Sequence, residues 1–272
     1  MDATQQIEAA AELIRNANGI LIAAGAGMGV DSGLPDFRGE DGFWRAYPAL
    51  RADRIGFQDI ANSEALKRDP VRAWGFYGHR LNLYRGTVPH KGFNILRRWA
   101  SMKEHGAFVF TSNVDGQFQK AGFPENRILE CHGSIHRLQC SKDCSNEVWS
   151  ANDFYPEVDE DRCILTSSLP RCPKCGGVAR PNIFMFDDSY WNDYRVRVRR
   201  MRSEAWLLSV KRMVVVEIGA GRTIPIVRNV DERTGSPVIR INPSDYAIDP
   251  QKGIGLPGRA FNVLRLLEGS LL

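Results

Sequence analysis

The sequence lacks any apolar run approaching the roughly 18 residues that a membrane-spanning helix requires. Its opening stretch, MDATQQIEAAAELIRNA, has no basic flank followed by an apolar block, so it does not have the pattern of a secretory signal. Internal repeats and low-complexity segments are also missing, which argues against repeat architectures and disordered chains. These absences predict a globular protein with no membrane partner.

The chain also has little excess charge. It carries 36 Lys and Arg against 32 Asp and Glu, a formal net charge of +4. This balance is too mild to favour nucleic acid as the main partner, although it is compatible with an acidic ligand such as a pyrophosphate. With 272 residues, 43% hydrophobic and 25% charged, the chain is long enough for one large domain and a small appended one.

Cysteine is scarce, and four of the six cysteines form two close pairs. The spacing Cys140-x-x-x-Cys144 and Cys172-x-x-Cys175 is typical of two ligand pairs that meet in a tetrahedral thiolate site. It predicts one structural zinc ion in a reducing compartment, and hence a cytoplasmic location. The alternative is a pair of local disulfides or free thiols. Four thiolates leave no position open for water, so the metal is expected to stabilise a small module rather than react.

Apolar periodicity predicts an α/β protein. A helix is expected over 4–18, followed by a buried strand over 20–24 that leads directly into a glycine-rich turn. The other expected strands are 107–111, 127–130, 213–218 and 238–241, and the helices that alternate with them are 91–102, 115–121, 201–211 and 258–268. This alternation predicts a doubly wound parallel Rossmann-like sheet. Two stretches interrupt it, 41–84 and 138–179, and these are expected to form a smaller inserted helical and zinc-binding module.

The turn after the first strand carries the first candidate site. In G-A-G-M-G-V-D-S-G, residues 25–33, the glycines let the backbone approach a phosphate closely, although a tight turn without a ligand remains an alternative. L-P-D-F-R-G at 34–39 and D-G-F-W at 41–44 follow. They place an acid, an arginine and aromatic rings in a loop suited to cover a bound ribose and nicotinamide.

These motifs, in this order and spacing, closely resemble the cofactor-binding loop of sirtuins. The resemblance continues over nearly the whole chain. The further matching motifs are T-S-N-V-D at 111–115 for the family's T-Q-N-I-D, E-C-H-G at 130–133 for its catalytic H-G, R-P-N-I at 180–183 for its R-P-x-I/V, G-A-G-R-T at 219–223 for its G-T-S turn, I-N at 241–242 for the adenosine-ribose asparagine, and G-R-A at 258–260 for the start of the last helix.

The resemblance implies an NAD-dependent protein-lysine deacylase that releases nicotinamide and O-acyl-ADP-ribose, with an acylated-lysine protein or peptide as its partner. It implies that Asn113 and Asp115 orient the nicotinamide and ribose, and that His132 is the base. A base neutral near pH 7 suits this step, which fits histidine. The implied NAD-binding residues are Gly25, Ala26, Gly27, Asp36, Phe37, Arg38, Trp44, Ser112, Asn113, Asp115, Gly219, Ala220, Gly221, Asn242, Arg259 and Ala260. The NAD-binding domain would comprise 1–40, 85–137 and 180–272.

Two further sets of residues are expected to contact the acyl-lysine. Ile183, Phe184 and Phe186 follow the R-P-x-I/V motif and resemble the family's substrate strand. Tyr77 and Arg80, three residues apart, would share one helical face and bind a carboxylate together. This pair resembles the Y-x-x-R of class III sirtuins, which favour succinyl-lysine and malonyl-lysine; the alternative is that both residues only pack or pair on a helix.

The sequence departs from the family pattern at three positions. Ser112 replaces a glutamine beside the ribose, Asp187 stands where the family has the glycine of F-G-E, and Arg222 replaces a small turn residue. Because these positions lie in the expected site, ADP-ribosyl transfer or NAD hydrolysis stays open as an alternative activity. A non-catalytic NAD sensor is disfavoured, because Asn113 and His132 are both present.

Overall fold

The computed structural model describes residues 2–35, 39–222 and 225–271. Within these ranges the strands are β1 (Gly19–Ala24), β2 (Ala107–Thr111), β3 (Ile128–Glu130), β4 (Gly133–Cys140), β5 (Val148–Ser150), β6 (Val158–Asp159), β7 (Ile164–Leu165), β8 (Ala179–Ile183), β9 (Met213–Ile218), β10 (Val238–Asn242) and β11 (Gly253–Pro257).

The α-helices of the same ranges are α1 (Ala3–Asn16), α2 (Gly39–Ala46), α3 (Pro48–Ala52), α4 (Phe57–Ile60), α5 (Ser63–Arg68), α6 (Pro70–Gly86), α7 (Lys91–Ser101), α8 (Gln117–Lys120), α9 (Tyr194–Ser209), α10 (Ile226–Thr234) and α11 (Ala260–Leu271). Short 3-10 turns occupy Ala26–Met28, Val30–Ser32 and Glu125–Arg127.

The main sheet has six parallel strands in the order β11-β10-β9-β1-β2-β3. This is the strand order of a doubly wound dinucleotide-binding fold, so the predicted fold class is confirmed. β1 lies at the centre and is buried along its whole length, as its apolar run predicts. Ile20 and Ile22 face one hydrophobic core, whereas Leu21 and Ala23 face another on the opposite side of the sheet.

Helices cover both faces of this sheet. α1, α7 and α11 pack together on one face, and α9 and α10 lie on the other. The first helix begins with a capping box, in which the Asp2 carboxylate accepts from the Gln5 backbone N–H at 2.9 Å and the Gln5 side chain accepts from the Asp2 N–H. Such a box satisfies N–H groups that a helix start leaves unpaired.

A separate hydrophobic core lies beside the main sheet. It is built around the aromatic residues of α6 and around the antiparallel sheet β5-β4-β8, and it includes Trp74, Phe76 and Ile135. The Trp74 indole N–H donates to the Ala179 carbonyl at 2.9 Å, which joins α6 to β8. The predicted helical content of 41–84 is therefore confirmed.

Several element boundaries differ from the sequence prediction. α9 begins at Tyr194, whereas a start at 201 was expected, so the basic run 195–202 belongs to this helix. α10 and β11 were not predicted. β11 has the sequence GIGLP, whose glycines and proline give no strand signal. None of the helices in the described ranges combines the length and the apolarity needed to cross a bilayer.

Candidate functional site

The loops that follow four neighbouring strands meet at one edge of the main sheet. β3, β2, β1 and β9 are adjacent and parallel, so their carboxyl ends share this edge. The direction of winding reverses between β1 and β9, and open α/β sheets bind ligands at such a switch point. Four of the predicted site residues follow these strands by one or two positions: Gly25, Asn113, His132 and Gly219. The structure therefore brings these four to the same edge of the sheet.

Two glycine-containing loops touch at the switch point. A Cβ atom added to Gly27 would lie 2.6 Å from the Gly219 Cα, and one added to Gly25 would lie 2.7 Å from the Gly219 carbonyl oxygen. The Gly27 N–H donates to that same carbonyl at 3.1 Å, and Gly219 has a φ of +62°. Side chains are thereby excluded from these positions, which leaves bare backbone at the place where a phosphate would lie.

The first glycine-rich loop is held by residues distant in sequence. The His90 ring lies with its Nε2 atom 3.0 Å from the Met28 carbonyl oxygen, and the His90 backbone N–H donates to the Ser32 hydroxyl at 2.9 Å. The Asp31 carboxylate accepts from the Phe261 N–H at 2.8 Å, at the start of α11. Asp31 therefore joins the cofactor loop to the last helix of the described chain, a role the sequence did not reveal.

Asn113 is fixed by the loop after β1. Its side-chain amide donates to the Gly25 carbonyl at 3.0 Å, and its backbone N–H donates to the Thr111 hydroxyl, which in turn donates to the Ala24 carbonyl. The neighbouring Ser112 N–H also donates to Ala24, at 3.2 Å. These contacts place Asn113 at the junction of two strand ends, where it can reach a ligand lying across them.

Asp115 is buried, and its carboxylate accepts from the Gln117 N–H at 2.9 Å. Burial raises the pKa of Asp115 to about 6, and the nearby Glu130 carboxylate contributes to the rise, while the Gln117 N–H and the Arg80 guanidinium oppose it. The His136 ring lies 2.8 Å from the Asp115 backbone oxygen and fixes this loop from behind. Asp115 is thus a carboxyl group poised to change protonation near neutral pH.

His132 lies just beyond the end of β3, between the loop after β2 and the strand β8. Burial of its imidazole lowers the pKa of His132 below the usual 6.5, and a hydrogen bond with the Ser112 backbone partly offsets this effect. The His132 backbone carbonyl accepts from the Phe184 N–H at 2.9 Å. The imidazole is therefore neutral at pH 7, the form that a general base requires.

The opposite side of the switch point is formed by β10 and α11. Asn242 is fully buried and its amide donates to the Ala220 carbonyl at 3.0 Å, while its side-chain oxygen accepts from the N–H groups of Ser244 and Asp245. Gly221 is exposed, and a Cβ atom added to it would meet no other residue within 4 Å apart from its chain neighbours. Asn242 therefore stabilises the loop after β9 through a hydrogen bond from its buried side chain.

Of the remaining predicted residues, two lie at the start of α11, and Trp44 lies in α2. Ala260 is buried, whereas Arg259 is exposed, with its guanidinium 4.0 Å from the Asp31 carboxylate. The Trp44 indole N–H donates to the Ile55 carbonyl at 2.9 Å and so belongs to the second core's periphery. The predicted residues Asp36, Phe37 and Arg38 lie outside the described residues.

A buried ion cluster, which the sequence analysis missed, supports the same loops. Glu217 on β9 is fully buried; the Arg240 guanidinium donates to its carboxylate at 2.7 Å, and Arg228 lies 3.6 Å away. Arg228 also donates to the carbonyls of Ala220 and Asp245. The sequence does carry a signal for this cluster, a single acid in the apolar run V-V-V-E-I. An acidic residue is almost never fully buried unless it is paired, so this acid predicts a buried basic partner.

Tyr77 and Arg80 lie on the same helix, α6, and both are buried. The Arg80 guanidinium donates to the Tyr84 hydroxyl at 2.6 and 2.9 Å. The Tyr77 hydroxyl has no hydrogen-bond partner among the described residues. A buried hydroxyl without a partner is costly, and the charge of the Arg80 guanidinium partly offsets the rise that burial causes in the pKa of Tyr77.

The predicted substrate strand continues from β8. Ile183 is buried, Phe184 is 48% exposed, and Phe186 is half-buried against the second core. The strand is anchored by Arg180, whose guanidinium binds the Asp188 carboxylate through both oxygens; both side chains are buried. This bidentate pair fixes the turn that follows the strand.

The four paired cysteines converge, as the spacing predicts. The Cys140 and Cys175 sulfurs lie 3.6 Å apart, those of Cys144 and Cys172 lie 3.5 Å apart, and all four lie within 4.8 Å of one another. A tetrahedral zinc ion with Zn–S bonds of about 2.3 Å requires sulfurs about 3.8 Å apart. The cluster therefore fits one structural zinc ion, held entirely by thiolates.

A cavity of about 380 Å³ lies behind the loop that carries Asp115. It is lined mainly by charged groups, among them Lys120, Glu130 and Arg137, and it includes neither Gly25 nor His132. The cavity reaches the carboxyl edge of the main sheet at Asp115 and at Glu130, the last residue of β3.

Known proteins resemble this chain over most of its length. The sequence profile of the Sir2 family matches residues 25–216. A protein of Pyrococcus furiosus named NAD-dependent protein deacylase is 32% identical over 90% of this chain and 90% of its own length. A Pyrococcus abyssi protein of the same name is 31% identical over 95% of this chain and 94% of its own.

Solved structures agree with the sequence comparison. A structure described as the structural basis for the mechanism and regulation of Sir2 enzymes is 25% identical and has a TM-score of 0.72, with 98% of both chains covered. A Sir2 homologue in complex with NAD has a TM-score of 0.72 at 23% identity, covering 97% of this chain and 93% of the other. At that identity the second structure supports the fold alone.

Proposed function

This chain belongs to the Sir2 family, and we propose that it is an NAD-dependent protein-lysine deacylase whose reaction takes place at the carboxyl edge of the main sheet. The observation that carries the proposal is the convergence of Gly25, Asn113 and His132 at the switch point. The reaction needs three groups in one place: backbone N–H groups that can bind a pyrophosphate, an amide held in a fixed orientation, and a neutral imidazole that can act as a base.

The proposed residue roles follow from these positions. Asn113 and Asp115 orient the nicotinamide and ribose, so that nicotinamide leaves from C1′ as the acyl oxygen of the substrate lysine attacks. His132 then removes a proton from a ribose hydroxyl, which attacks the resulting imidate carbon. A water molecule then attacks the same carbon and supplies the carbonyl oxygen of the product ester, while the bond to the lysine nitrogen breaks and the amine leaves with a proton. The products are nicotinamide, the freed lysine and O-acyl-ADP-ribose.

The remaining NAD contacts are proposed on the same basis. The residues proposed to border the NAD site are Ala26, Ser112, Ala220, Asn242 and Arg259. Those proposed to cover it are Asp36, Phe37 and Arg38. On the substrate side, Ile183, Phe184 and Phe186 would form the strand beside the acyl-lysine, with Tyr77 and Arg80 as a clamp for an acidic acyl chain. Separate hydrophobic cores support the proposed division into an NAD-binding domain and an inserted module, and the cluster of unpaired thiols supports a proposed cytoplasmic location.

The proposal is tested by mass spectrometry of the full chain incubated with NAD and acetyl-lysine or succinyl-lysine peptides. Wild type is compared with His132→Ala and with the matched control His105→Ala, since His105 precedes β2 at the opposite edge of the sheet. We expect wild type to deacylate the peptide and to form O-acyl-ADP-ribose. The rate should fall by at least about 100-fold in His132→Ala and stay unchanged in His105→Ala.

Other products would redirect the assignment. Nicotinamide and free ADP-ribose without deacylated peptide would show an NAD hydrolase, and ADP-ribose attached to protein would show a transferase. Either result would overturn the deacylase proposal while leaving the NAD site in place.

A further inference from the structure

The segment 184–187 connects the reacting histidine with the protein surface. Phe184 donates its N–H to the His132 carbonyl at 2.9 Å, and its ring is 48% exposed and lies 4.9 Å from the Trp191 ring. The centroids of the His132 and Phe184 rings lie 6.4 Å apart, so a lysine side chain bound at His132 would lie beside Phe184. The peptide backbone that carries this lysine then lies outside, beside the residues that follow Phe184.

This segment is clamped along one edge. The Phe186 N–H donates to the Ala61 carbonyl at 2.9 Å, the Ser63 N–H returns a bond to the Phe186 carbonyl, and the Ser63 hydroxyl donates to the Asp187 carbonyl at 3.0 Å. The Met185 carbonyl accepts no hydrogen bond from residues 2–35, 39–222 or 225–271. The segment is thus held rigidly while keeping an acceptor for an added extended peptide.

Asp187 presents a fixed negative charge at the end of this segment. Its φ of +51° is in the left-handed region, which Asp tolerates better than most residues. Its carboxylate is exposed and accepts from the Asn62 amide at 3.1 Å, so the side chain is held in one place. In the described part of the chain no lysine or arginine pairs with it, whereas the adjacent Asp188 is buried and neutralised by Arg180.

We propose that Asp187 makes the enzyme select acylated peptides that carry a lysine or arginine close to the acyl-lysine. The inference rests on the proposed deacylase function and names its substrate class. A peptide cation beside Asp187 would neutralise a charge that the protein itself leaves unpaired, while a peptide carboxylate there would be repelled. An exposed pair of this kind corresponds to a preference of about 1.5- to 5-fold over a neutral residue, and salt weakens it.

The test uses acetyl-lysine and succinyl-lysine peptides that carry arginine, glutamine or glutamate at each of the three positions on either side of the acyl-lysine. Binding to the full, zinc-loaded chain is measured by fluorescence anisotropy, and deacylation by kcat/KM with NAD. Wild type is compared with Asp187→Asn, which keeps the left-handed backbone and the Asn62 contact but removes the charge. Glu204→Gln is the matched control, since Glu204 is an exposed acid on α9.

Wild type is expected to bind the arginine peptides more tightly than the glutamine peptides and the glutamate peptides more weakly, at one or two adjacent positions. In Asp187→Asn the arginine-to-glutamine affinity ratio falls to about 1, and in Glu204→Gln it is unchanged. Raising NaCl to 1 M brings the wild-type ratio towards 1 as well.

Each other outcome decides against one of the two proposals. Deacylation without any charge preference, or a preference that Asp187→Asn retains, overturns the role of Asp187 and leaves the deacylase function standing. An arginine preference in binding without deacylation of any peptide overturns the deacylase function and leaves the role of Asp187. Failure of all peptides to bind overturns both.

Discussion

The Asn113 side-chain amide donates to the Gly25 carbonyl oxygen at 3.0 Å, across 88 positions of sequence. This bond joins the loop after β1 to the loop after β2, on the two strands at the centre of the proposed site. Replacing Asn113 with alanine removes both the bond and the group that orients the ligand.

We expect Asn113→Ala to lower nicotinamide release by about 100-fold, because misplacing a reacting group by about 1 Å has that effect. The free energy of unfolding should fall by only about 1 kcal/mol, the net value of one hydrogen bond. Single-turnover nicotinamide release and urea unfolding measure the two quantities. A loss of rate no larger than the loss of folded protein would assign Asn113 a structural role only.

The activity is expected to fall in acid because of His132. Burial lowers the pKa of this imidazole below 6.5, so the neutral form predominates at pH 7 and is lost only as the pH drops through that lower value. A profile of kcat/KM for the acylated peptide between pH 5 and 8 should therefore show an acid limb with its midpoint below 6.5. A midpoint at 7 or above would contradict His132 as the buried base.

The zinc prediction separates the clustered cysteines from the others. Cys144→Ser should reduce the bound zinc from one ion per chain to none and lower Tm, because the metal joins two loops of the inserted module. Cys163→Ala, a buried cysteine outside the cluster, should keep one zinc ion. Metal content by mass spectrometry and thermal unfolding measure both, and equal zinc in the two variants would exclude the thiolate site.

Gly27→Ala is expected to destabilise the protein by about 1–3 kcal/mol and to abolish NAD binding, because the new methyl group would lie 2.6 Å from the Gly219 Cα. Gly269→Ala on α11, where the added Cβ meets nothing within 4 Å, should instead stabilise it by about 0.5–1 kcal/mol. Calorimetry with NAD and urea unfolding test the pair. Normal NAD affinity in Gly27→Ala would show that the contact between Gly27 and Gly219 is not part of the NAD-binding site.

Tyr77→Phe should separate stability from acyl selectivity. Removing a buried hydroxyl that lacks a partner is expected to raise the free energy of unfolding by about 1 kcal/mol. If Tyr77 binds an acidic acyl chain, the same variant loses at least about tenfold in desuccinylation relative to deacetylation, as does Arg80→Met. An unchanged ratio in both variants would mean that the two residues only pack within α6.

The sequence predicted the strands of the main sheet well where they are continuous apolar runs. It failed where a strand or helix depends on distant contacts. β11 gives no strand signal because it contains glycines, and Gly255 passes so close to Tyr246 that an added Cβ would lie 2.3 Å from the Tyr246 carbonyl oxygen. The basic run 195–202 suggests a solvated helix face; it does lie in α9, but one of its arginines is not solvated. In the structure Arg199 is buried and pairs with Glu125 and Glu130, a compensation that no local pattern reveals.

The same limit applies to the site. Its motif residues follow strand ends and were therefore recognisable, as Asn113 and His132 show. The loop contact made by Asp31 was not, because its partner Phe261 lies 230 positions away in sequence. Periodicity reports only near neighbours, so long-range bracing of a loop leaves no such signal.

The contact of Asp31 with Phe261 also bears on how the protein is made. β1 needs β9 as one of its two neighbours, and the loop after β1 needs the first turn of α11. During synthesis the apolar edge of β1 therefore lacks its partner on that side until β9, which ends at Ile218, has left the ribosome, and the loop after β1 lacks its contact with α11 until about residue 261 has emerged. Chaperone dependence during translation should accordingly be concentrated in this interval.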